Sequence, residues 1–205
     1  MSEPTPAARS DSFRWHHGIT PDERRRLLGL PEGETVWLTG LSGSGKSSVA
    51  VELERALLEA GRPALVLDGD NLRHGLNSDL GLSPGDRREN VRRVGEVAKL
   101  FAGVGWVSIV PVISPYAAGR DAVRASHEAG GVRFCEIYVD TPLEVCKTRD
   151  PKGLYAKAEA GELTGMTGID APYEAPEHPE LHLDGTAPLD GLVQQILVLI
   201  DRSAP

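Results

Sequence analysis

Short apolar runs alternate with longer stretches of helical period along this chain, and the alternation predicts a parallel β-sheet covered by helices on both faces. Runs near Val36 to Thr39, Ala64 to Leu67, Val107 to Ile113, Phe134 to Val139 and Leu181 to Leu183 read as buried strands. Helices are expected between them, near Ser47 to Ala60, Ser83 to Gly103, Ala117 to Ala129 and Pro142 to Thr148, with a last one from Leu189 to Arg202. An earlier helix starts at Thr20-Pro21-Asp22-Glu23, with Thr20 as N-cap, Pro21 at the first position and Glu23 completing a capping box, and it stops near Gly29. Open sheets of this kind bind ligands at the carboxyl ends of their strands, so the residues just after each strand are the candidates for chemistry.

Composition narrows the class. A chain of 205 residues fits one domain with a single core, here expected over residues 13–205. The Pro/Ala/Ser-rich residues 1–12 read as a disordered tail. A net charge of −8 argues against a general nucleic-acid binder, because no basic stripe is available to track a phosphate backbone. Local cations therefore serve a small anionic ligand. Cys135 and Cys146 lie without histidine at zinc spacing and read as free thiols of a reducing compartment. No apolar stretch approaches the ~20 residues needed to span a bilayer, and the N-terminus lacks a secretory core, so a cytoplasmic protein with no membrane or nucleic-acid partner is expected. His16 and His17 are adjacent and do not converge on one point, and Arg24, Arg25 and Arg26 read as a solvated helix face.

The chemistry centres on Gly40-Leu41-Ser42-Gly43-Ser44-Gly45-Lys46-Ser47, which has phosphate-loop spacing and lies between an apolar strand and a helix. Backbone N–H groups and the positive end of the following helix suit a triphosphate there. Gly40, Ser42, Gly43, Ser44, Gly45, Lys46, Ser47 and Ser48 are the expected nucleotide contacts, with Lys46 on the β- and γ-phosphates and the Ser47 hydroxyl on Mg²⁺. The second strand ends in Asp68-Gly69-Asp70-Asn71. Phosphoryl transfer is mostly positioning and charge neutralisation, so Asp70 is the candidate to receive or orient a substrate hydroxyl proton and Asp68 to hold Mg²⁺ through water. If Ser83-Pro84 caps the long helix, Arg87 and Asn90 share one face at i and i+3, while Arg92, Arg93 and Lys99 pair with Glu89 and Glu96 in solvent. Ile113-Ser114-Pro115 places a hydroxyl at the sheet edge. The glycine-rich connection over residues 149–170 is long for a link between a helix and a strand and reads as a mobile lid, which would bring Arg149 and Lys152 onto the phosphates and exclude water.

From Trp15 to its C-terminus the chain resembles the adenylyl-sulfate kinases, which move the γ-phosphoryl of ATP to the 3′-hydroxyl of adenosine 5′-phosphosulfate. The likeness rests on the phosphate loop, Asp68-Gly69-Asp70-Asn71, Gly75-Leu76-Asn77, Asp86-Arg87 with Glu89-Asn90, Ile113-Ser114-Pro115, Arg149-Asp150-Pro151-Lys152-Gly153-Leu154-Tyr155, Thr167-Gly168-Ile169-Asp170 and Tyr173-Glu174-Ala175-Pro176. It implies a three-layer α/β/α sandwich of the P-loop type with a mainly parallel five-stranded sheet, ATP and Mg²⁺ as co-substrate and metal, and a homodimer. By the same resemblance Asp70, Arg73, Leu82, Arg87, Asn90, Ile113, Ser114, Lys152, Leu154 and Met166 surround the accepting nucleotide, and Asp70, Lys46, Asp68 and Lys152 carry the reaction.

The departures fall on the acceptor side. The family usually has phenylalanine at the places of Leu82 and Met166, where two rings sandwich the acceptor adenine. Losing both removes base stacking of ~1–3 kcal/mol per ring, although leucine and methionine still offer apolar walls. Ala156-Lys157-Ala158-Glu159 replaces a more basic run, and Ala117 and Ala118 stand where an arginine is common. A relative acting on a different nucleotide therefore stays open as an alternative. So does a non-catalytic nucleotide-binding module, although Lys46, Ser47, Asp68 and Asp70 together weigh against it. The adenine of ATP has no readable signature beyond Arg149 and the Gly185-Thr186-Ala187 loop.

Overall fold

Strand β1 (Glu34–Thr39) is buried at every position, which its central place in the sheet requires. The computed structural model describes residues 18–201; the expected tail over 1–12, the start of the domain at Phe13 to His17, and Arg202 at the end of the last helix lie outside them. With β2 (Ala64–Val66), β3 (Val107–Pro111), β4 (Arg133–Asp140) and β5 (Leu181–Asp184), β1 forms a five-stranded sheet of order β2-β3-β1-β4-β5 in which every pairing is parallel. Alternate residues of β1 feed two cores. Val36 and Leu38 pack with Val49, Leu53 and Leu57 of α2 (Lys46–Glu59) and Ile196 and Ile200 of α8 (Leu189–Asp201). Trp37 packs on the other face with Val91, Val94 and Ala98 of α4 (Pro84–Gly103), Val123 of α5 (Ala117–Ala129) and Phe134. The result is the expected three-layer α/β/α sandwich.

The remaining helices are α1 (Pro21–Leu28), α3 (Gly69–Leu72), α6 (Leu143–Arg149) and α7 (Leu154–Glu159). Thr20 caps α1 by accepting from Glu23 N at 3.1 Å, and Ser83 caps α4 by accepting from Asp86 N at 3.2 Å, both as the sequence predicts. The expected pairs on α4 form, Arg92 and Arg93 with Glu89 and Lys99 with Glu96, but of the three cations only Arg92 faces solvent; Arg93 also bonds Leu76 O and Asp79, and Lys99 is partly buried against Ser126. Arg25 departs from the expected solvated face, because its guanidinium folds back onto the Gly103 carbonyl at 3.3 Å.

Two strand ends differ from the apolar pattern by two residues, the others by one at most. β1 begins at Glu34 rather than Val36, since Arg62 and Arg133 meet the buried Glu34 carboxylate at 3.1 and 2.8 Å, and Thr35 meets His127 Nε2 at 2.9 Å. Burial still pushes the Glu34 carboxyl above its ordinary range against the pull of both arginines. β3 ends at Pro111 rather than Ile113. Val112 N donates once more to Leu38 O, and the chain then turns out of the sheet through Ser114, whose φ of 39° is left-handed. Both cysteines are buried free thiols. Among the described residues no helix is long and apolar enough to cross a membrane.

Candidate active site

A cavity of about 770 Å³ opens at the carboxyl edge of the sheet. The loop joining β1 to α2 forms one end. Gly40, Gly43 and Gly45 take φ values of 151°, 76° and 102°, which a side chain would strain. Gly40 sits behind the cavity, where a Cβ would come within 2.5 Å of the Val139 carbonyl oxygen; its role is close approach to β4 rather than ligand contact. Lys46 begins α2 and donates to Leu41 O at 2.6 Å and Ser44 Oγ at 3.3 Å. Burial lowers its pKa to about 8, with Cys146, Asp68 and Asp70 pulling the other way. Two braces from elsewhere in the chain hold the loop. Thr141 Oγ1 donates to Ser44 O and Tyr155 OH donates to Ser42 O, each at 2.9 Å.

The end of β2 supplies the carboxylates. Asp68 is the N-cap of α3 and accepts from Asp70 N at 2.9 Å through Oδ1, which leaves Oδ2 to accept from Ser47 Oγ at 3.1 Å. No group of three or more His, Cys, Asp or Glu is placed to hold a metal among the described residues. A site of two hard protein oxygens suits Mg²⁺, which keeps most of its shell as water and substrate phosphate. Asp70 stands on the one turn of α3 and forms an ion pair with Lys152, both half-exposed.

The far end of the cavity belongs to α4 and residues 163–167 of the segment over 149–170. Arg87 is a three-way tie, donating from Nε to Leu82 O at 2.9 Å, from Nη1 to Thr167 Oγ1 at 2.6 Å and from Nη2 to Gly165 O at 2.6 Å. Its burial lowers its pKa, as desolvation of a cation must. Asn90 lines the cavity one turn later. Arg73 donates to Leu80 O and Gly81 O at 3.1 and 3.0 Å, holding the loop that carries Leu82. Ser114 lines the cavity too, but its hydroxyl is engaged inward, accepting from Trp37 Nε1 at 3.1 Å and donating to Thr39 Oγ1 at 3.0 Å.

Residues 149–170 fold over the cavity as α7 and tight turns. Asp150 accepts from Tyr155 N and Ala156 N, Asp170 accepts from Gly165 N and Met166 N at 2.7 and 2.6 Å, and Tyr155 and Met166 bury with Cys146. Arg149 reaches Gly185 O at 3.0 Å, so it joins the phosphate loop's end of the cavity to the turn before α8.

Of the residues expected from the sequence at the nucleotide sites, Gly40 does not line this cavity, nor does Thr186 of the Gly185-Thr186-Ala187 loop. Leu163, Thr167 and Leu189 line it without having been singled out for it; the Thr167-Gly168-Ile169-Asp170 run was the available signal for Thr167. Because only a planar fork makes the three Arg87 contacts, Arg87→Lys is expected to speed amide exchange over residues 163–171 by about tenfold, the worth of one hydrogen bond to a charged group. Hydrogen–deuterium exchange reads this directly, and unchanged exchange would show that the tie does not hold the segment.

The adenylylsulphate kinase family model matches residues 32–184. The chain is 54% identical over 195 residues to the adenylyl-sulfate kinase of Enterobacter sp. (strain 638), covering 95% of this chain and 96% of the relative. It is 55% identical over 174 residues to the bifunctional enzyme CysN/CysC of Mycobacterium tuberculosis (strain H37Rv), of which it spans 28%. Among solved structures, the Mycobacterium tuberculosis APS kinase CysC in complex with AMPPNP and APS superposes with a TM-score of 0.82 at 56% identity, covering 83% of this chain and 99% of that one.

Proposed function

Because the chain belongs to the adenylylsulphate kinase family, we propose that the two ends of the cavity at the carboxyl edge of its sheet receive the two nucleotides of one phosphoryl transfer. The protein is an ATP-dependent kinase that moves the γ-phosphoryl group to the 3′-hydroxyl of adenosine 5′-phosphosulfate, giving 3′-phosphoadenosine 5′-phosphosulfate. Neither a different acceptor nor a non-catalytic module is favoured at this level of likeness over nearly the whole chain. The observation that carries the assignment of ends is that the phosphate loop and the Arg73, Arg87 and Asn90 group line the same cavity.

At the donor end, backbone N–H groups of the loop and the start of α2 bind phosphate, and Lys46 adds a compact charge beside the transferred group. Ser47 and Asp68 would hold Mg²⁺, which supplies charge neutralisation of the phosphates when bound. Arg149, Gly185 and Ala187 form the wall for the ATP base. At the acceptor end, Arg73, Arg87 and Asn90 bind the phosphosulfate nucleotide, while Ile113, Ser114 and Leu154 close its sides. Leu82 and Met166 flank its base through apolar contact instead of stacked rings; Met166 is buried and pre-positioned, whereas Leu82 is more than half exposed. Asp70 orients the hydroxyl and accepts its proton as the new P–O bond forms and the bond to the leaving ADP breaks. Lys152 comes from the segment over 149–170, which acts as the lid. Its ion pair with Asp70 must loosen for the hydroxyl to take its place.

The same reading includes one domain over residues 13–205, a homodimer and a cytoplasmic location. The activity itself is tested by incubating the protein with ATP, Mg²⁺ and a panel of nucleotides. Adenosine 5′-phosphosulfate should yield a 3′-phosphorylated product at the highest kcat/KM. Phosphorylation of another nucleotide in its place would sink the assignment of the acceptor.

A further inference from the structure

Asn77 lies in the turn between α3 and α4, does not line the cavity, and is fully buried. Its Nδ2 donates to Asn90 Oδ1 at 3.0 Å, while its own Oδ1 is buried without a hydrogen-bond partner among the described residues. An unpartnered amide oxygen in a buried position is a cost that an apolar residue of similar size would avoid, so the group calls for an explanation. Its backbone is already secured, since Asn77 N donates to Leu72 O and Asn77 O accepts from Leu80 N. The turn is also pinned to α4 from outside by Arg93, which bonds Leu76 O and both carboxylate oxygens of Asp79. Holding the turn therefore does not require a polar side chain at this position.

The contact does fix which way the Asn90 amide faces. An asparagine amide is a donor on one side and an acceptor on the other, and the two are nearly the same shape. With Oδ1 of Asn90 occupied by Asn77, Nδ2 has no hydrogen-bond partner among the described residues, in a residue that lines the cavity. The cavity there also holds the guanidinium groups of Arg73 and Arg87, so its ligand is rich in acceptors, and a donor from Asn90 joins them where a carbonyl would oppose the ligand's charge. Turning both amides over would bury the unpartnered NH₂ group of Asn77, and orphaned buried donors are rarer than orphaned acceptors.

We propose that Asn77 is a positioning residue for acceptor binding, acting through Asn90 by locking its side-chain amide with the NH₂ group toward the anionic nucleotide. This rests on the assignment of the Asn90 end of the cavity to the acceptor. Asn77→Asp keeps the shape but cannot donate, and its carboxylate draws the Asn90 NH₂ toward itself; Asn77→Ala removes the contact without adding a buried charge, in case the aspartate variant folds poorly. Each is measured alone and in an Asn90→Ala background, with KM for adenosine 5′-phosphosulfate, KM for ATP and kcat as readouts. The expected result is an acceptor KM raised about tenfold, the worth of one hydrogen bond to a charged group, with KM for ATP unchanged. In the Asn90→Ala background the Asn77 substitutions should add nothing further. Additive losses, or a rise in the ATP KM of equal size, would show that Asn77 serves only the fold. Asn90→Ala without effect on the acceptor KM would instead remove the assignment of this end to the acceptor, and the proposal with it.

Discussion

Asp70→Asn should lower kcat by about 10²–10⁴-fold, the span for removing a positioned proton acceptor, while the KM for ATP changes little. Asparagine keeps the shape, and the turn that carries it does not depend on the carboxylate, because Asp68 supplies the cap through the backbone N–H of residue 70. Folding should therefore be preserved, and a melting curve beside the kinetics checks that. Magnitude decides between two roles for this side chain. If Asp70 served only to pair with Lys152, a half-exposed ion pair, its loss would cost ~0–1 kcal/mol, less than about tenfold, and Asp70→Asn would match Lys152→Ala. A fall of several hundredfold with an intact fold requires contact with the reacting hydroxyl. A fall under tenfold would leave the proton to another acceptor.

The parts of this molecule that the sequence makes legible are those whose causes are local. The phosphate loop carries its glycines, lysine and serine within eight residues and declares itself by spacing, and Thr20 and Ser83 announce their helices because a cap acts over three residues. Strands buried on both faces read as apolar runs. The edges fail where a polar residue is buried by a distant partner, as Glu34 is by Arg62 and Arg133. The two short helices are absent from the sequence reading for a related reason. α3 has four residues and owes its turn to the Asp68 cap, and α7 has six and is held by Asp150 together with the burial of Tyr155. Neither has the length for a hydrophobic period to show.

The site divides along the same line. Residue types that must touch phosphate are few, so Lys46, Asp68, Asp70 and Arg87 stand out, and the family resemblance supplies the acceptor residues that spacing alone leaves open. What holds those residues is spread through the chain: Thr141 and Tyr155 under the loop, Thr167 against Arg87, Asn77 behind Asn90. Each acts through a contact between distant segments or an unremarkable turn, and each uses a residue type with many uses elsewhere. Ser114 lines the cavity as expected and has a second task that the sequence does not show, since its hydroxyl is directed into the sheet and serves Trp37 and Thr39.

Lys46→Met should abolish most activity and yet stabilise the unliganded protein at neutral pH. The catalytic loss follows from removing the fixed charge beside the transferred phosphoryl group, about 10²–10³-fold by comparison with the loss of one preorganised donor to a developing charge. The gain in stability follows from the burial that lowers the Lys46 pKa to about 8, against 10.5 for an ordinary lysine. Between those two values the unfolded chain binds the proton and the folded chain does not, so the wild type becomes more stable as pH rises through that window; below about pH 8 both states are protonated and the folded state bears the whole penalty, about 3 kcal/mol. Methionine has nearly the same stem and no charge to desolvate. It also leaves the Leu41 carbonyl without its donor, which returns about 1–3 kcal/mol, so a net gain of roughly 1 kcal/mol and a Tm higher by about 2–4 °C at pH 7 are expected. The advantage should shrink as pH rises from 8 to 10. A lower Tm for Lys46→Met at pH 7, with a difference from wild type that does not vary with pH, would show that the buried ammonium is not held at a cost. With the expected outcome, the free enzyme keeps a strained charge at the phosphate loop, and the incoming triphosphate relieves that strain on binding.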